Sequence, residues 1–256
     1  MRIIITGGTG FIGKYLIDYF KNDLNKHIIE TTSVINKSVD KIPLNLDKID
    51  HINDLFEYLG FPDLVIHCAW KNVKHVKSIS HIEADLNNQI KFFKNLIENG
   101  CKNIVSIGSC FEYGYCLNKI NETQVCNPII SYAIAKNTLY KYILLKKNDF
   151  NFNFKWLRPF YVYDKNGIEG NNIVTELKEA VENKKNEFKM SMGDQQMDFI
   201  EVRELASIIG KISLQNKVNG IINCCSGKPI RLDRFLKDQL KTWNLVISLK
   251  KGEYNY

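Results

Sequence analysis

The stretch that decides the fold of this 256-residue chain is TGGTGFIG, residues 6–13. It follows the apolar run Ile3–Ile5 directly and opens a helical pattern that continues to about Asn22. At such a strand-to-helix junction the first glycine permits a tight turn, the second lets the backbone approach a pyrophosphate, and the third brings the helix close to the strand. The free N–H groups and the dipole of the helix N-terminus then attract the anion. The junction therefore predicts a dinucleotide-binding site of the Rossmann type.

Beyond this junction, apolar runs alternate with helical patterns, which predicts a parallel sheet with helices on both faces. Further strands are expected near residues 27–32, 64–66, 104–107 and 155–157, with helices near 82–99 and 131–147. Later on, helices are expected near 172–183, 203–214 and 232–243, with a short strand at 220–223. We expect a single α/β unit built on a Rossmann-type doubly wound parallel sheet. Its dinucleotide-binding core would span about 1–160, and about 161–256 would form mostly a small substrate-binding lobe over the carboxyl edge of the sheet.

The composition argues against several classes of protein. The net charge of +7 comes mainly from lysines spread along the chain, which is typical of a solvated surface rather than of a nucleic-acid interface. No run approaches the roughly 18 apolar residues of a membrane span, and the N-terminus enters a strand at once, so we expect a cytoplasmic protein without a signal peptide. Seven cysteines without a CxxC pair, and five histidines that all precede residue 82, predict neither a metal site nor a disulfide framework.

The end of the second strand bears on which dinucleotide binds. The acidic residue that would bond the ribose 2′-hydroxyl is not evident there, because Glu30 falls inside the strand. The tip reads TSVINK at residues 32–37, and small hydroxyls with a nearby lysine suit a 2′-phosphate better. We therefore predict NADP as the cofactor, with Ser33 and Lys37 near the 2′-phosphate, and keep NAD as the alternative.

Tyr132 and Lys136 form a YxxxK pair on a predicted helix. Residues four apart lie on one helix face, and an ammonium there favours the phenolate and lowers the tyrosine pKa. Tyr132 then becomes a usable general acid or base. Such a pair also occurs by chance on surface helices. Its context favours the active-site interpretation, because the strand at 104–107 runs into Ser109 and so brings a hydroxyl to the carboxyl end of the sheet.

Together these motifs resemble the extended short-chain dehydrogenase/reductase family, in the branch that acts on nucleotide sugars. The resemblance rests on TGGTGFIG at 6–13, SCFEYG at 109–114 and YAIAK at 132–136. Further stretches match the family in order and extend the likeness over nearly the whole chain: LVIHCA at 64–69, LRPF at 157–160, DFIEV at 198–202 and NCCSG at 223–227.

By this resemblance Ser109, Tyr132 and Lys136 are the catalytic residues. Ser109 would bond the reacting sugar oxygen, Tyr132 would exchange its proton, and Lys136 would tune Tyr132 and bond the nicotinamide ribose. The resemblance implies these cofactor-binding residues: Gly7, Gly10, Phe11, Ile12, Gly13, Ser33, Lys37, Asn45, Leu46, Cys68, Ala69, Trp70, Asn87, Ile107, Tyr132, Lys136, Pro159 and Val162. It implies these substrate-binding residues: Trp70, Cys110, Phe111, Tyr161 and Asn172.

The resemblance also implies an assembly. Relatives pair the helices equivalent to 82–99 and 131–147 into a homodimer. The apolar residues that would serve it here are Phe92, Phe93, Leu96, Leu139, Ile143 and Leu144. The alternative is that these side chains only face the sheet.

Departures from the family pattern narrow the chemistry. Dehydratases of the family carry an Asp-Glu pair directly after the catalytic hydroxyl, whereas this chain has Cys110 and Phe111, which cannot act as that acid–base pair. Combined epimerase/reductases pair a cysteine with a downstream histidine, and no histidine follows Tyr132. Reduction of a nucleotide-linked 4-keto-6-deoxyhexose and 4-epimerisation of a nucleotide sugar both remain, and an NADP cofactor favours reduction. A non-catalytic Rossmann-fold regulator is the alternative from another class. Tyr161 and Met197 stand where relatives often have asparagine and arginine, which leaves the nucleotide carrier open.

Overall fold

The structure is a computed structural model that describes residues 1–22, 28–33, 41–116 and 119–254. The chain divides into two compact units. The first consists of Met1–Pro159 and Ala206–Cys224, and the second of Phe160–Leu205 and Cys225–Tyr256.

Strands and helices alternate along the chain. The strands are β1 (Arg2–Thr6), β2 (Ile28–Ser33), β3 (Lys41–Pro43), β4 (Leu64–His67), β5 (Asn103–Ile107), β6 (Asn153–Pro159), β7 (Tyr161–Tyr163), β8 (Glu187–Lys189), β9 (Gln196–Met197), β10 (Phe199–Glu201), β11 (Gly220–Cys224), β12 (Ile230–Arg231) and β13 (Ser248–Lys250). The helices are α1 (Phe11–Lys21), α2 (Leu55–Tyr58), α3 (Leu86–Glu98), α4 (Ser131–Lys146), α5 (Ile173–Glu182), α6 (Val202–Leu214) and α7 (Leu232–Thr242). Short 3-10 turns cover Leu46–His51 and Cys110–Tyr113, and a π-helical turn, His81–Asp85, leads into α3.

Within the described residues, the first unit is built on a seven-stranded sheet in the order β11, β6, β5, β4, β1, β2, β3. Every neighbouring pair is parallel. The chain order reverses between β1 and β4, whose last residues Thr6 and His67 pair with each other. Ligands of doubly wound sheets bind beyond the carboxyl ends of the strands at this switch point. The predicted Rossmann-type fold is confirmed.

The core of the first unit lies against the central strands. Ile3–Ile5 of β1 are fully buried, as expected for a strand that is covered on both faces. Helix α1 buries Leu16 and Phe20, and α3 buries the adjacent Phe92 and Phe93. Each such side chain contributes about 1.5–3 kcal/mol when fully buried. This packing holds the first turn of α1 at the carboxyl end of β1.

The sequence pattern placed the strand near 220–223 among the pieces of the lobe, but the structure pairs β11 with β6 at one edge of the main sheet. Lys155 of β6 explains part of this arrangement. It is buried, and its Nζ donates to the main-chain carbonyls of Ser213 and Gln215, where α6 ends. These bonds satisfy carbonyls that the helix itself leaves unpaired.

In its described part, the second unit holds three two-stranded ladders: β7 with β10, β8 with β13, and β9 with β12. Its own apolar core includes Leu177 of α5, Leu236 of α7 and the stacked rings of Phe199 and Phe235. Across the described residues, no helix combines the length and the apolar character that a membrane span requires.

Candidate active site

The glycine-rich loop allows three backbone segments to approach closely. Gly7 has a φ of +67°, and a Cβ on it would lie 2.8 Å from the backbone of Ala69, the second residue after β4. A Cβ on Gly13, inside the first turn of α1, would lie 2.3 Å from the Gly7 carbonyl oxygen. Both contacts leave no room for a side chain, so the packing of the loop requires glycine at positions 7 and 13.

The N-terminus of α1 is built to accept an anion. Gly10 occupies the cap position, and the described residues place no side-chain hydrogen bond on the cap and no acidic residue in the first turn. The first N–H groups of a helix lack partners within the helix, and its dipole favours a negative charge there. This cradle fits the pyrophosphate of a dinucleotide.

A closed ring of hydrogen bonds holds the end of β4 against this loop. Gln89 of α3 donates from Nε2 to the Ala69 carbonyl at 3.0 Å, and its Oε1 lies 2.6 Å from Nε2 of His67. His67 Nδ1 lies 2.8 Å from the hydroxyl of Thr6, and this hydroxyl accepts the Ala69 N–H at 3.4 Å.

The pKa of His67 and the chemistry of its partners assign the protons in the ring. Burial lowers the pKa of His67 to about 3, and the Lys136 charge adds to that effect, so the imidazole is neutral at neutral pH. The Gln89 oxygen only accepts, so Nε2 of His67 carries the proton and Nδ1 accepts from Thr6. The ring fixes Ala69 without placing a charge beside the loop.

Sequence reasoning assigned the amide of α3 to Asn87, whose side chain is exposed in the structure. Gln89 is instead the amide that points inward, and it is 2% exposed. Its burial could have been anticipated, because Gln89 lies three and four residues before the core residues Phe92 and Phe93 on the same helix face. A cofactor contact of Asn87 stays a prediction.

Ser109 occupies the cap of the 3-10 turn that follows β5. Its hydroxyl accepts the N–H of Phe111 at 3.2 Å, and its own N–H donates to the Glu112 carboxylate at 2.8 Å. This is a reciprocal capping box. The serine oxygen is thus held in place at the carboxyl end of β5, and its proton remains available to donate.

Glu112 anchors the capping box through a buried charge pair. Its carboxylate accepts from Trp156 Nε1 and twice from Arg158, at 2.8–3.1 Å. Glu112 and Arg158 are both fully buried, and the Arg158 guanidinium also lies 4.4 Å from the ring centre of Tyr113. Sequence reasoning missed the role of this pair.

Tyr132 and Lys136 lie on the first two turns of α4, as predicted. The Lys136 Nζ donates to the Ile107 carbonyl at 2.6 Å, which joins α4 to the last residue of β5, two residues before Ser109. The same Nζ lies 5.7 Å from the Tyr132 ring centre. The structure therefore brings the pair on α4 to the end of the strand that carries Ser109.

The pKa directions differ from the simple expectation. Burial raises the pKa of Tyr132 above its usual value, and the Glu112 and Cys110 charges add to the rise. The pKa of Lys136 is lowered to about 7, because burial outweighs the stabilising charge of Glu112. The expected lowering of the tyrosine pKa is not observed, since desolvation dominates both groups. Tyr132 is therefore protonated at neutral pH. Lys136 loses its charge as the pH rises through about 7.

The other predicted cofactor residues occupy varied settings. Phe11 and Ile12 open α1 and are half-buried, and Asn45 uses its side chain to cap the turn that begins at Leu46. Ser33 ends β2, whereas Lys37 lies outside the described residues. The rest stand near strand ends: Cys68, Ala69 and Trp70 after β4, Ile107 in β5, Pro159 at the end of β6, and Val162 in β7. All of these cofactor contacts, including those of the glycine loop, stay predictions.

The predicted substrate residues fall in both units. Cys110 is buried and Phe111 is half-buried in the turn after Ser109. In the second unit, Tyr161 packs against Phe199. Asn172 caps α5 with its side-chain oxygen and donates its amide to the Val162 carbonyl, so this side chain has a structural task already.

Most residues expected at the dimer interface belong to the core. Five of the six are fully buried within the protomer: Phe92, Phe93, Leu96, Leu139 and Ile143. Leu144 is exposed, as is the adjacent Leu145. A homodimer through α3 and α4 stays a prediction, and these two leucines would have to carry it on α4. In the described ranges, no group of three or more histidine, cysteine or acidic side chains is placed to hold a metal ion.

Comparison with known proteins shows the family of the chain. Residues 3–225 match the model of the NAD dependent epimerase/dehydratase family. The dTDP-6-deoxy-L-talose 4-dehydrogenase (NAD(+)) of Aggregatibacter actinomycetemcomitans is 30% identical over 274 residues, covering 100% of this chain and 94% of the relative.

Two solved structures show the same fold at low sequence identity. The UDP-glucose 4-epimerase of Thermotoga maritima, solved with UDP-glucose, has a TM-score of 0.82 at 17% identity and covers 100% of this chain and 87% of its own. RMD of Pseudomonas aeruginosa, solved with NADPH, has a TM-score of 0.82 at 18% identity and covers 99% and 88%.

Proposed function

Because the chain belongs to the NAD dependent epimerase/dehydratase family, we propose that it is an NAD(P)-dependent oxidoreductase that reduces a nucleotide-linked 4-keto-6-deoxyhexose. The observation that carries the proposal is the joining of Tyr132 and Lys136 to the end of β5, where Ser109 stands, within the unit that also holds the glycine cradle. A proton donor and a site for a dinucleotide are what a carbonyl reduction requires.

Each residue of the site has a definite task in this reaction. A nicotinamide dinucleotide, when bound, supplies the hydride for the carbonyl carbon. The Ser109 hydroxyl donates a hydrogen bond to the sugar oxygen. Tyr132 transfers its phenolic proton to the same oxygen as the alkoxide develops. The raised pKa of Tyr132 keeps this proton on the phenol at neutral pH. While Lys136 carries its charge, it stabilises the phenolate that remains on Tyr132.

Dehydration finds no support at this site. The carboxylate next to Ser109 along the turn is that of Glu112, which is fully buried and bonded to Arg158 and Trp156. A group held in this way cannot approach a sugar carbon. The same observation argues against Glu112 as a substitute proton donor for Tyr132.

The named relative supports chemistry at the sugar C4. A 4-dehydrogenase oxidises a hydroxyl to a ketone, and reduction of the ketone is the reverse of that step. Its name specifies NAD(+), whereas RMD of Pseudomonas aeruginosa was solved with NADPH. Our proposal for this chain is NADP, on the basis of the residues at 32–37 and of Ser33 and Lys37 in particular.

The test is a screen of 4-keto-6-deoxyhexoses linked to dTDP, GDP, UDP and CDP with NADPH and with NADH. Absorbance follows the loss of reduced cofactor, and NMR identifies the product. We expect one reduced cofactor to be consumed for each 4-hydroxy sugar formed, with a higher kcat/KM for NADPH. Inversion at C4 without net loss of cofactor would instead identify an epimerase. Cofactor binding without turnover of any sugar would favour a regulator. Equal or better use of NADH would remove the argument from Ser33 and Lys37.

A further inference from the structure

Trp70 contacts both members of the catalytic pair, and the reaction scheme does not use it. The centre of its indole ring lies 4.1 Å from the Lys136 Nζ. Its ring meets that of Tyr132 edge-on, at 5.8 Å and 89°. Trp70 lies three residues beyond β4, so it reaches α4 from a different element of the same unit.

The Lys136 ammonium needs such a partner. It is 2% exposed, and within the described residues its one hydrogen bond goes to the Ile107 carbonyl, although an ammonium has three donors. The face of a tryptophan ring attracts a cation, and more strongly where water is excluded. The ionisable groups facing Lys136 are Glu112 after β5, Cys68 after β4, His67 in β4 and Tyr132 on its own helix. The Tyr132 and Trp156 ring centres lie 5.7 Å and 5.9 Å from the ammonium, so the Trp70 indole is the nearest of the three rings that face it.

His81 holds the indole in this orientation. The Trp70 Nε1–H donates to Nδ1 of His81 at 3.1 Å, and the His81 Nε2 lies 3.1 Å from the His75 carbonyl. An indole N–H only donates, so Nδ1 is the acceptor in this contact, and the Asp85 carboxylate lies 3.2 Å from the same Nδ1. His81 is fully buried, and its ring also packs against Tyr132 at 5.3 Å.

The loop that carries these groups is tied to the start of α4. The Tyr132 N–H donates to the Val76 carbonyl at 3.1 Å, and the Ser131 hydroxyl donates to the Lys77 carbonyl at 3.0 Å. The segment from Trp70 to His81 and the first turn of α4 are therefore one hydrogen-bonded assembly. A displacement of the indole would disturb the partner of Lys136 and the packing of Tyr132 together.

We propose that Trp70 is a positioning residue for the reaction: its indole face holds the Lys136 ammonium against the end of β5, and its N–H, fixed by His81, keeps the ring in that place. The catalytic consequence rests on the proposed function, because it is the charge of Lys136 that stabilises the phenolate of Tyr132. The effect on Lys136 itself does not depend on the identity of the substrate.

The direct test measures the Lys136 titration without any substrate. Protein labelled with isotopes at the lysine side-chain carbon and nitrogen is titrated by NMR, and the Lys136 signal is assigned by its loss in Lys136→Met. In Trp70→Leu the pKa of Lys136 should fall by about one unit, the size expected for a desolvated cation–π contact. Trp70→Phe should give a smaller fall than Trp70→Leu, because phenylalanine still presents an aromatic face to the ammonium. Some fall should remain, because that face is weaker and the bond to His81 is lost.

The matched control is Phe150→Leu, which removes a ring lying 5.4 Å from another lysine of the same helix, Lys146. It should leave the Lys136 titration unchanged. An unshifted Lys136 in a folded Trp70→Leu overturns the proposal, and if that variant does not fold, an unshifted Lys136 in Trp70→Phe does so. On a confirmed substrate, the alkaline limb of kcat/KM should move to lower pH by the same amount. Failure of every sugar to turn over would contradict the proposed function and leave the NMR result to decide the role of Trp70.

Discussion

Helix α4 carries the same pattern twice: an inner pair, Tyr132 and Lys136, and an outer pair, Tyr142 and Lys146. The internal geometry of the two pairs is nearly equal, since the lysine Nζ lies 5.7 Å from the tyrosine ring centre in the inner pair and 6.0 Å in the outer pair. The pairs differ in what surrounds them. Any difference in chemistry between the two pairs therefore cannot come from their spacing alone.

The surroundings reverse the behaviour of the two lysines. Lys136 is buried, bonds a main-chain carbonyl, and has its pKa lowered to about 7. Lys146 bonds the Glu98 carboxylate at 2.5 Å with its side chain 18% exposed, and this bond raises its pKa. The outer pair is thus an ordinary surface cation beside a ring. The inner pair holds a lysine that can change its charge near neutral pH, at the edge of the sheet where ligands of this fold bind.

The largest expected effect comes from removing one oxygen from each pair. Tyr132→Phe should lower kcat by about 10²–10⁴-fold, the usual contribution of a general acid, with cofactor affinity nearly unchanged. Tyr142→Phe should leave kcat unchanged. Steady-state kinetics and calorimetric cofactor titration of both variants measure this. Near-normal turnover in Tyr132→Phe would mean that the proton comes from another group and that the two pairs are equivalent.

The next effect concerns the carboxylate associated with each lysine. Glu112→Ala leaves Arg158 buried without its partner and should lower the free energy of unfolding by about 3–5 kcal/mol. Glu98→Ala removes a partly exposed ion pair with Lys146 and should cost at most about 1 kcal/mol, less at high salt. Denaturant titrations at low and high salt compare the two variants.

A double variant tests whether the stability lost in Glu112→Ala comes from leaving Arg158 without its partner. Glu112→Leu combined with Arg158→Met removes both charges and should recover part of the stability that Glu112→Ala loses. Equal losses from Glu112→Ala and Glu98→Ala would show that the inner environment is less desolvated than its burial indicates.

The smallest effect is a difference in pH dependence between the two lysines. The folded-state pKa of Lys136, about 7, lies below its unfolded value of 10.5, so between these pH values the unfolded chain binds more protons and stability rises with pH. Wild type should therefore gain about 2 kcal/mol relative to Lys136→Met between about pH 7 and pH 9. Lys146, whose pKa is raised, stays charged in both states over this range.

The measurement is the free energy of unfolding of wild type, Lys136→Met and Lys146→Met at both pH values. The Lys146→Met curve should run parallel to that of wild type. If the Lys136→Met curve does so as well, Lys136 titrates as a surface lysine and the contrast between the pairs is lost.

Local patterns were sufficient for the parts of the site that depend on near neighbours in the chain. The glycine spacing at 6–13, the strand that leads to Ser109 and the four-residue spacing of Tyr132 and Lys136 were all readable from the sequence. Parts that depend on distant segments were not: the pairing of β11 with β6, the Glu112–Arg158 pair and the contacts of the Gln89 amide with His67 and Ala69. Each of these joins residues from different elements, and no local spacing reports such contacts.

By itself, the sequence determined the fold class, the position of the dinucleotide cradle and the candidate catalytic residues. It could do so because helix and strand periodicities and the steric freedom of glycine are local properties. Only the tertiary structure decided which of two equal tyrosine–lysine pairs is buried at the sheet edge, and that burial raises the pKa of Tyr132 instead of lowering it. Desolvation is set by everything that packs around a group, so it appears only when the chain has folded.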